Sequence, residues 1–306
     1  MVVDLQARLR DALAGSDVDE LVELGCDLAD AGRQEQALAC FQRAVDLGQD
    51  WIWFNVANTL RELDRPTEAV TAYQRAIAAG QSDAWLNLAH VLDSLGDLAG
   101  AMEAYRAAGQ AGGQPEGHVQ LAHLLHQQGE PQRAQAALAP ALQRGYLPAV
   151  ALAARWRWEN TRESADPVLE QQLRAGAGVD GSARADLAEL LIATGRREQA
   201  REQLQLGAKL GQRECWLPLG NLLAGDDLSA EPGQEQEVDG AEVDKAGAEE
   251  AYRAGIAAGD EWCHHNLALL LLQRGDVRAA EEHLLAGAAA GDELAQLAWQ
   301  DLHQQD

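Results

Sequence analysis

The chain has 306 residues, 47% of them hydrophobic and 24% charged, a composition that supports a packed core and excludes a disordered polyelectrolyte. Forty-nine acidic residues against 24 basic ones give a formal net charge of −25. That charge repels phosphate backbones and anionic lipid, which argues against nucleic-acid and membrane-surface partners and leaves a basic partner as the compatible kind.

In chain order, Leu5, Leu9 and Leu13 predict one amphipathic helix over residues 1–15. From residue 17 the chain repeats itself. An anchor of Leu or Val followed by Ala or Gly occurs at Leu24, Val56, Leu88, Leu121, Leu152, Leu187, Leu219 and Leu267, mostly 32 residues apart. Thirteen residues after the anchors comes alanine (Ala37, Ala69, Ala101, Ala134, Ala165, Ala200 and Ala280), with Ala248 following once sixteen extra residues in the seventh unit are allowed. Four residues later stands a large apolar group: Phe41, Tyr73, Tyr105, Leu138, Leu169, Leu204, Tyr252 or Leu284. Glycine follows each alanine at eleven, from Gly48 to Gly291, and is expected to end the second helix in a left-handed cap. A second set, Gly32, Gly96, Gly129, Gly195 and Gly275, falls eight residues after the anchors, with Asp64 in the same place.

Within each unit, apolar residues recur at three and four, as in Leu86, Ala89 and Leu92, so every unit is two amphipathic helices joined by a short turn. Neither helix can bury its face alone. Alanine at the crossing lets the backbones approach, and the large residue one turn on fills the space between pairs.

Two units depart from the pattern. In the fifth, Trp156 to Asn160 stand where the turn is expected, Asp166-Pro167 restarts a helix, and Ala175 to Ser182 read as an extended glycine-rich link. In the seventh, the extra residues lie within 225–245, which hold eight acidic groups against Lys245 and no aromatic, and are expected to form a disordered acidic loop. After the eighth unit, Leu294, Leu297, Trp299 and Leu302 predict a closing helix over 292–303. Both terminal helices are expected to cap the stack, making 1–306 a single solenoid with eight helical repeats over 17–291.

Trp53-Phe54-Asn55-Val56-Ala57, Trp85-Leu86-Asn87-Leu88-Ala89 and Trp216-Leu217-Pro218-Leu219-Gly220, together with Ala37 and Phe41, resemble the tetratricopeptide repeat pattern of Trp-x-x-Leu-Gly and Ala-x-x-x-Phe. The turn between units is two residues shorter and lacks the closing proline, which is similar to the Sel1-like branch of that superfamily. The resemblance implies an all-α, right-handed superhelical solenoid of antiparallel helix pairs that binds other proteins along the groove lined by its first helices.

Offsets −5, −2, +2, +5 and +6 from the anchors share one face of the first helices. They nominate Trp51, Phe54, Asn58, Arg61 and Glu62, then Asp83, Leu86, His90 and Asp93, then Glu116, His123 and His126, and later Arg157, Trp158, Glu189, Asn221 and Trp262. With Asp19, Asp30 and Glu214, the acidic members number eight against Arg61 and Arg157, so a basic or amphipathic peptide is the expected guest. Members of the resembled family that clamp a C-terminal carboxylate use lysines and asparagines on this face; here Asn58 matches and Phe54 does not. Trp51, Phe54, Trp158 and Trp262 read either as binding anchors or as packing between neighbouring helices, whereas Trp53, Trp85 and Trp216 read as core.

His90 and Asp93, with His123 and His126 at the same offsets one unit on, raise the alternative of a metal site or metal-dependent enzyme. No nucleophile, phosphate loop or H-E-x-x-H run supports catalysis, so no cofactor and no enzymatic activity are expected. A ligand-responsive regulatory module acting on a separate effector is the remaining alternative. Cys26, Cys40, Cys215 and Cys263 include no C-x-x-C pair and lie in helical patterns, so reduced, buried thiols are expected. Only Lys209 and Lys245 accompany many arginines and alanines, the bias of a GC-rich bacterial genome. Met1-Val2-Val3-Asp4 has no basic segment leading into an apolar core, and the longest apolar stretch, Leu267 to Leu272, is too short to span a bilayer, so a cytoplasmic location is expected.

Overall fold

The first helix, α1 (Leu5–Ala14), is followed by pairs in which two antiparallel helices share a row of alanines. The computed structural model describes residues 5–162, 166–225 and 243–304, and divides into two compact units, Met1–Ala149 and Val150–Asp306. The first unit holds the pairs α2 (Val18–Asp30) with α3 (Gln34–Asp46), α4 (Trp53–Glu62) with α5 (Pro66–Ala78), α6 (Ala84–Ser94) with α7 (Leu98–Gln110), and α8 (Pro115–Gln127) with α9 (Pro131–Gln143). In the second unit, α10 (Leu147–Thr161) and α11 (Pro167–Gly176) lead into α12 (Gly181–Ala193) with α13 (Arg197–Lys209) and α14 (Trp216–Ala224) with α15 (Lys245–Ala257). There α16 (Cys263–Gln273) with α17 (Val277–Ala289) and then α18 (Glu293–Gln304) complete the order. Within each unit, the second helix of a pair also packs on the first helix of the next, as α5 does on α6 and α15 on α16, so each unit is an α-solenoid. Residues 226–242, most of the expected acidic loop, and Ala165 lie outside the described residues.

The repeat positions explain the core. Ala37, Ala69, Ala101, Ala134, Ala200, Ala248 and Ala280 are fully buried, and Phe41, Tyr73, Tyr105, Leu138, Leu169, Leu204, Tyr252 and Leu284 are at most 2% exposed. In the seventh pair the approach is closer still: a Cβ on Gly220 would lie 2.3 Å from the Tyr252 ring. Helix starts are chemically marked. Asp17, Asp97, Asp166, Asp180, Asp244 and Asp276 each accept a backbone N–H of the following helix, and Pro66, Pro115, Pro131 and Pro167 occupy first-turn positions where no N–H is needed.

The turns follow the expected glycines with two exceptions. Gly113 rather than Gly112 takes the positive φ after α7, and Gly176 remains helical inside α11, where it sits against Ala151. Asp64 has φ 55°, so a side-chain-bearing residue occupies the left-handed turn that glycine fills elsewhere. The fifth unit is more regular than its sequence indicates. Trp156 to Asn160 continue α10 instead of turning, and the expected extended link over Ala175 to Ser182 is a tight turn closed by Asp180, whose carboxylate accepts from Ser182 and Ala183 N–H. Burial of the cysteines holds for three: Cys40, Cys215 and Cys263 are buried, but Cys26 is exposed.

One buried charge fastens that turn. Arg184 is 4% exposed, and its guanidinium donates to Gln212 Oε1 at 2.6 Å, Gln203 Oε1 at 3.0 Å and the Ala177 carbonyl at 2.6 Å. Among the described residues no helix is long and apolar enough to cross a membrane.

Ala69→Leu should overpack the α4–α5 crossing and lower stability by about 1–3 kcal/mol. Ala99→Leu, at an exposed position of α7, should leave the urea midpoint nearly unchanged, which makes it the control.

Candidate functional site

In the first unit, the offset that nominates Asn58 and His90 places both beneath a tyrosine hydroxyl from the second helix of the same pair. Tyr73 OH donates to Asn58 Oδ1 at 2.6 Å, and Asn87 Nδ2, from the next first helix, donates to the same oxygen at 3.4 Å. One pair further on, the Tyr105 hydroxyl shares a 3.0 Å hydrogen bond with His90 Nδ1, and the two rings meet edge to face. Burial pushes Tyr105 up to about 12, with Asp93 and then Glu116 adding to the shift as nearby negative charges. Asn58 and His90, expected to wait for a ligand, are therefore already held by the fold.

The surrounding candidates remain accessible. Phe54 and Leu86 are half-buried, with Phe54 lying edge-on to Tyr73 at 6.2 Å between centroids. Asp83 and Glu116 are exposed and Asp93 is half-buried, while Arg61 and Glu62 form an exposed pair at 2.8 Å. Trp51 is half exposed at the start of α4, its carbonyl accepting from Gln81 Nε2 at 2.9 Å.

The four-residue metal cluster considered from spacing is not assembled. His90 is engaged by Tyr105, and His123, exposed, shares a 2.9 Å hydrogen bond with Gln127 on its own helix; His126 is half-buried. Among the described residues no group of three or more His, Cys, Asp or Glu is arranged to hold a metal ion. Equal offsets on neighbouring helices give a shared face, not convergence at one point.

The second unit repeats the asparagine arrangement. Asn221 Oδ1 accepts from Tyr252 OH at 2.8 Å and from Asn266 Nδ2 at 2.6 Å. Trp158 corrects the anchor reading: it is 3% exposed, packed in the core with Leu169, Leu187 and Leu191, and its indole N–H donates to Glu189 Oε2 at 2.9 Å. Arg157 points to solvent and pairs with Asp166. Trp262 is 55% exposed just ahead of α16. Trp53, Trp85 and Trp216 are half-buried, and the Arg75 guanidinium covers the Trp53 ring at 4.4 Å.

Next to Trp158 lies a carboxyl that spacing did not nominate. Asp186 on α12 faces Arg155 on α10, Nε to Oδ2 at 3.1 Å. Burial pushes its pKa up to about 7; Arg155 opposes that shift, while Glu189 and Glu159 add to it. Asn87, Asn266 and the tyrosine hydroxyls were also missed. Their signal was present, because Asn58 with Asn87 and Asn221 with Asn266 occupy the same pair of offsets, and Asn58 and Asn221 lie in units whose large apolar residue is tyrosine.

Models of the tetratricopeptide repeat match residues 22–83 and 54–115, and further copies match 115–140, 181–205 and 262–286. The chain belongs to the tetratricopeptide repeat superfamily. Solved structures agree in fold. A Sel1 repeat protein from Oxalobacter formigenes superposes with a TM-score of 0.65 at 17% identity, covering 98% of this chain and 91% of that one. The protective antigen c5321 of uropathogenic Escherichia coli, which displays an SLR fold, gives 0.58 at 20% identity over 99% of this chain and 68% of its own. A tetratricopeptide repeat protein from Parabacteroides merdae gives 0.52 at 15% identity over 87% and 99%. A sequence search of curated proteins gave no match. In this tetratricopeptide repeat chain the first helices thus carry the tyrosine-bound side chains Asn58, His90 and Asn221.

Two outcomes test the geometry. Tyr73→Phe removes the donor to Asn58 and should cost about 1 kcal/mol in urea unfolding. The Asp186 carboxyl binds its proton more tightly in the fold than its ordinary value of 3.8. Its contribution is therefore full below about pH 4 and is lost as pH rises through about 7. Asp186→Asn should flatten the fall in stability between about pH 4 and pH 7 relative to wild type, whatever its effect at any single pH.

Proposed function

We propose that this protein is a non-catalytic protein-interaction scaffold that takes a basic or amphipathic segment of a partner along the first-helix face of its first unit. The observation that carries the reading is the grouping of Asp93 and Glu116 about the Tyr105 hydroxyl, beside the half-buried Leu86. Side chains already fixed by the fold lose little entropy when a guest arrives, so binding energy is not consumed in ordering them. Phe54 and Leu86 offer apolar contact, and Asp83, Asp93, Glu116 and Glu62 offer negative charge that steers a basic guest and rejects an acidic one.

The family supports protein binding as the general role, and the net charge of −25 argues against phosphate-rich partners. The four free cysteines accord with a cytoplasmic, reducing setting, which belongs to the same proposal.

Fluorescence polarisation would measure binding of a labelled amphipathic peptide whose polar face is lysine and arginine, beside one whose polar face is glutamate. The basic peptide should bind with an association rate that falls as salt is raised. Asp93→Lys with Glu116→Lys, shown folded by circular dichroism, should weaken it at least tenfold. Equal binding of the acidic peptide, or no change in the double variant, would overturn the reading.

A further inference from the structure

In the second unit three successive inter-pair turns border one cleft. They are the single 3-10 turn Arg213–Cys215 ahead of α14, the turn Gly259 to Trp262 ahead of α16, and the turn Ala290 to Asp292 ahead of α18. The cleft has a volume of about 430 Å³. Its apolar wall is Leu217 and Pro218 at the start of α14, and the exposed indole of Trp262 stands on its margin. Trp262 and Glu214, which share one repeat offset, both line the cleft.

The charge balance of the cleft is negative. Glu214, Asp260, Glu261 and Asp292 all line it, against Arg213 alone, which lies 3.5 Å from Glu214. The starts of α14, α16 and α18 add positive potential, about half a charge each. Together with Arg213 that is roughly two and a half positive charges facing four carboxylates, so the sign stays negative. The further titratable groups facing these carboxylates are His264, 3.5 Å from Glu261, the Cys263 thiol, which donates to Asp260, and His265, which lies near Asp292.

Asp292 is the most telling member. It is 3% exposed, and its Oδ1 accepts from Leu294 and Ala295 N–H, which caps α18. Its second oxygen, Oδ2, is buried with no hydrogen-bond partner. A cap needs one oxygen, so the second is a buried acceptor that folding leaves unsatisfied, at a cost that a donor from outside would relieve. Asp260 lines the same cleft; burial raises its pKa, opposed by hydrogen bonds from the Cys263 thiol and the Trp262 backbone N–H and by the charge of Arg213.

We propose that this cleft receives an arginine side chain from a protein partner. The aliphatic stem packs on Leu217 and Pro218, and the guanidinium stacks on Trp262 while donating toward the Asp260 and Asp292 carboxylates. A guanidinium suits the site because it is planar, carries five donors in a fork and loses less hydration than an ammonium on stacking. This site uses none of the residues on which the scaffold reading of the first unit rests.

The test uses the full chain labelled with ¹⁵N and a short acetylated, amidated peptide of alanines around one arginine, beside the same peptide with citrulline, which has the shape without the charge. The indole N–H signal of Trp262 is identified by its loss in Trp262→Phe, an exposed change that keeps the fold. The arginine peptide should shift that signal saturably, and the citrulline peptide should not. Asp260→Asn with Glu261→Gln should weaken binding at least fivefold, with Asp292 left in place to cap α18. Asp93→Lys should leave this binding intact, so failure of the first-unit reading and failure of this one are separable. Equal shifts from both peptides, a shift that does not saturate, or unchanged affinity in the double variant would overturn the proposal.

Discussion

Everything in this chain depends on an alanine that is too small to keep two helices apart. At Ala69 or Ala101 the backbones of a pair come close enough for the aromatic one turn later, Tyr73 or Tyr105, to be fully enclosed by its own pair and the next. A helix of ten to fifteen residues is marginal in water by itself. It persists here because, within each unit, a second helix such as α5 or α15 packs on two first helices, its partner and its successor, so burial is shared along the unit and not concentrated at a centre.

The same enclosure explains the polar chemistry of the first-helix face. Tyrosine at the interlocking position brings a hydroxyl to the far side of the core, where it must find an acceptor. Asn58, His90 and Asn221 supply it, and in doing so their orientation is set from below. Where the interlocking residue is leucine, as at Leu138 or Leu204, no hydroxyl makes this demand. The functional surface and the core are therefore one construction, with the tyrosine ring serving the interior and its oxygen the surface.

The helix pairs could be read from the sequence because each depends on residues three, four and thirteen apart, all inside one unit. What could not be read depends on depth or on a neighbour. Trp158 has the offset of an accessible side chain, yet it is buried among Leu169, Leu187 and Leu191 with its indole N–H on Glu189 of α12. The spacing nominates Asn58, but the hydroxyl that occupies it comes from the opposing helix. His90, Asp93, His123 and His126 share a face without converging, because offset fixes direction and says nothing of reach. Gly112 and Gly113 show the same limit at the turns: two glycines in succession leave open which of them takes the left-handed conformation.

The asparagine bridges also bear on how the molecule comes apart. Asn58 to Asn87 joins α4 to α6, and Asn221 to Asn266 joins α14 to α16, so each unit contains a polar strap between consecutive pairs in addition to apolar packing. In a linear array, cooperativity is set by the coupling between neighbours more than by the strength of any one member. A strapped junction makes two pairs open together, whereas pairs joined by packing alone separate singly. Hydrogen exchange along the chain would then proceed in blocks, with the slowest amides lying on either side of these straps and protection declining toward the ends of each unit.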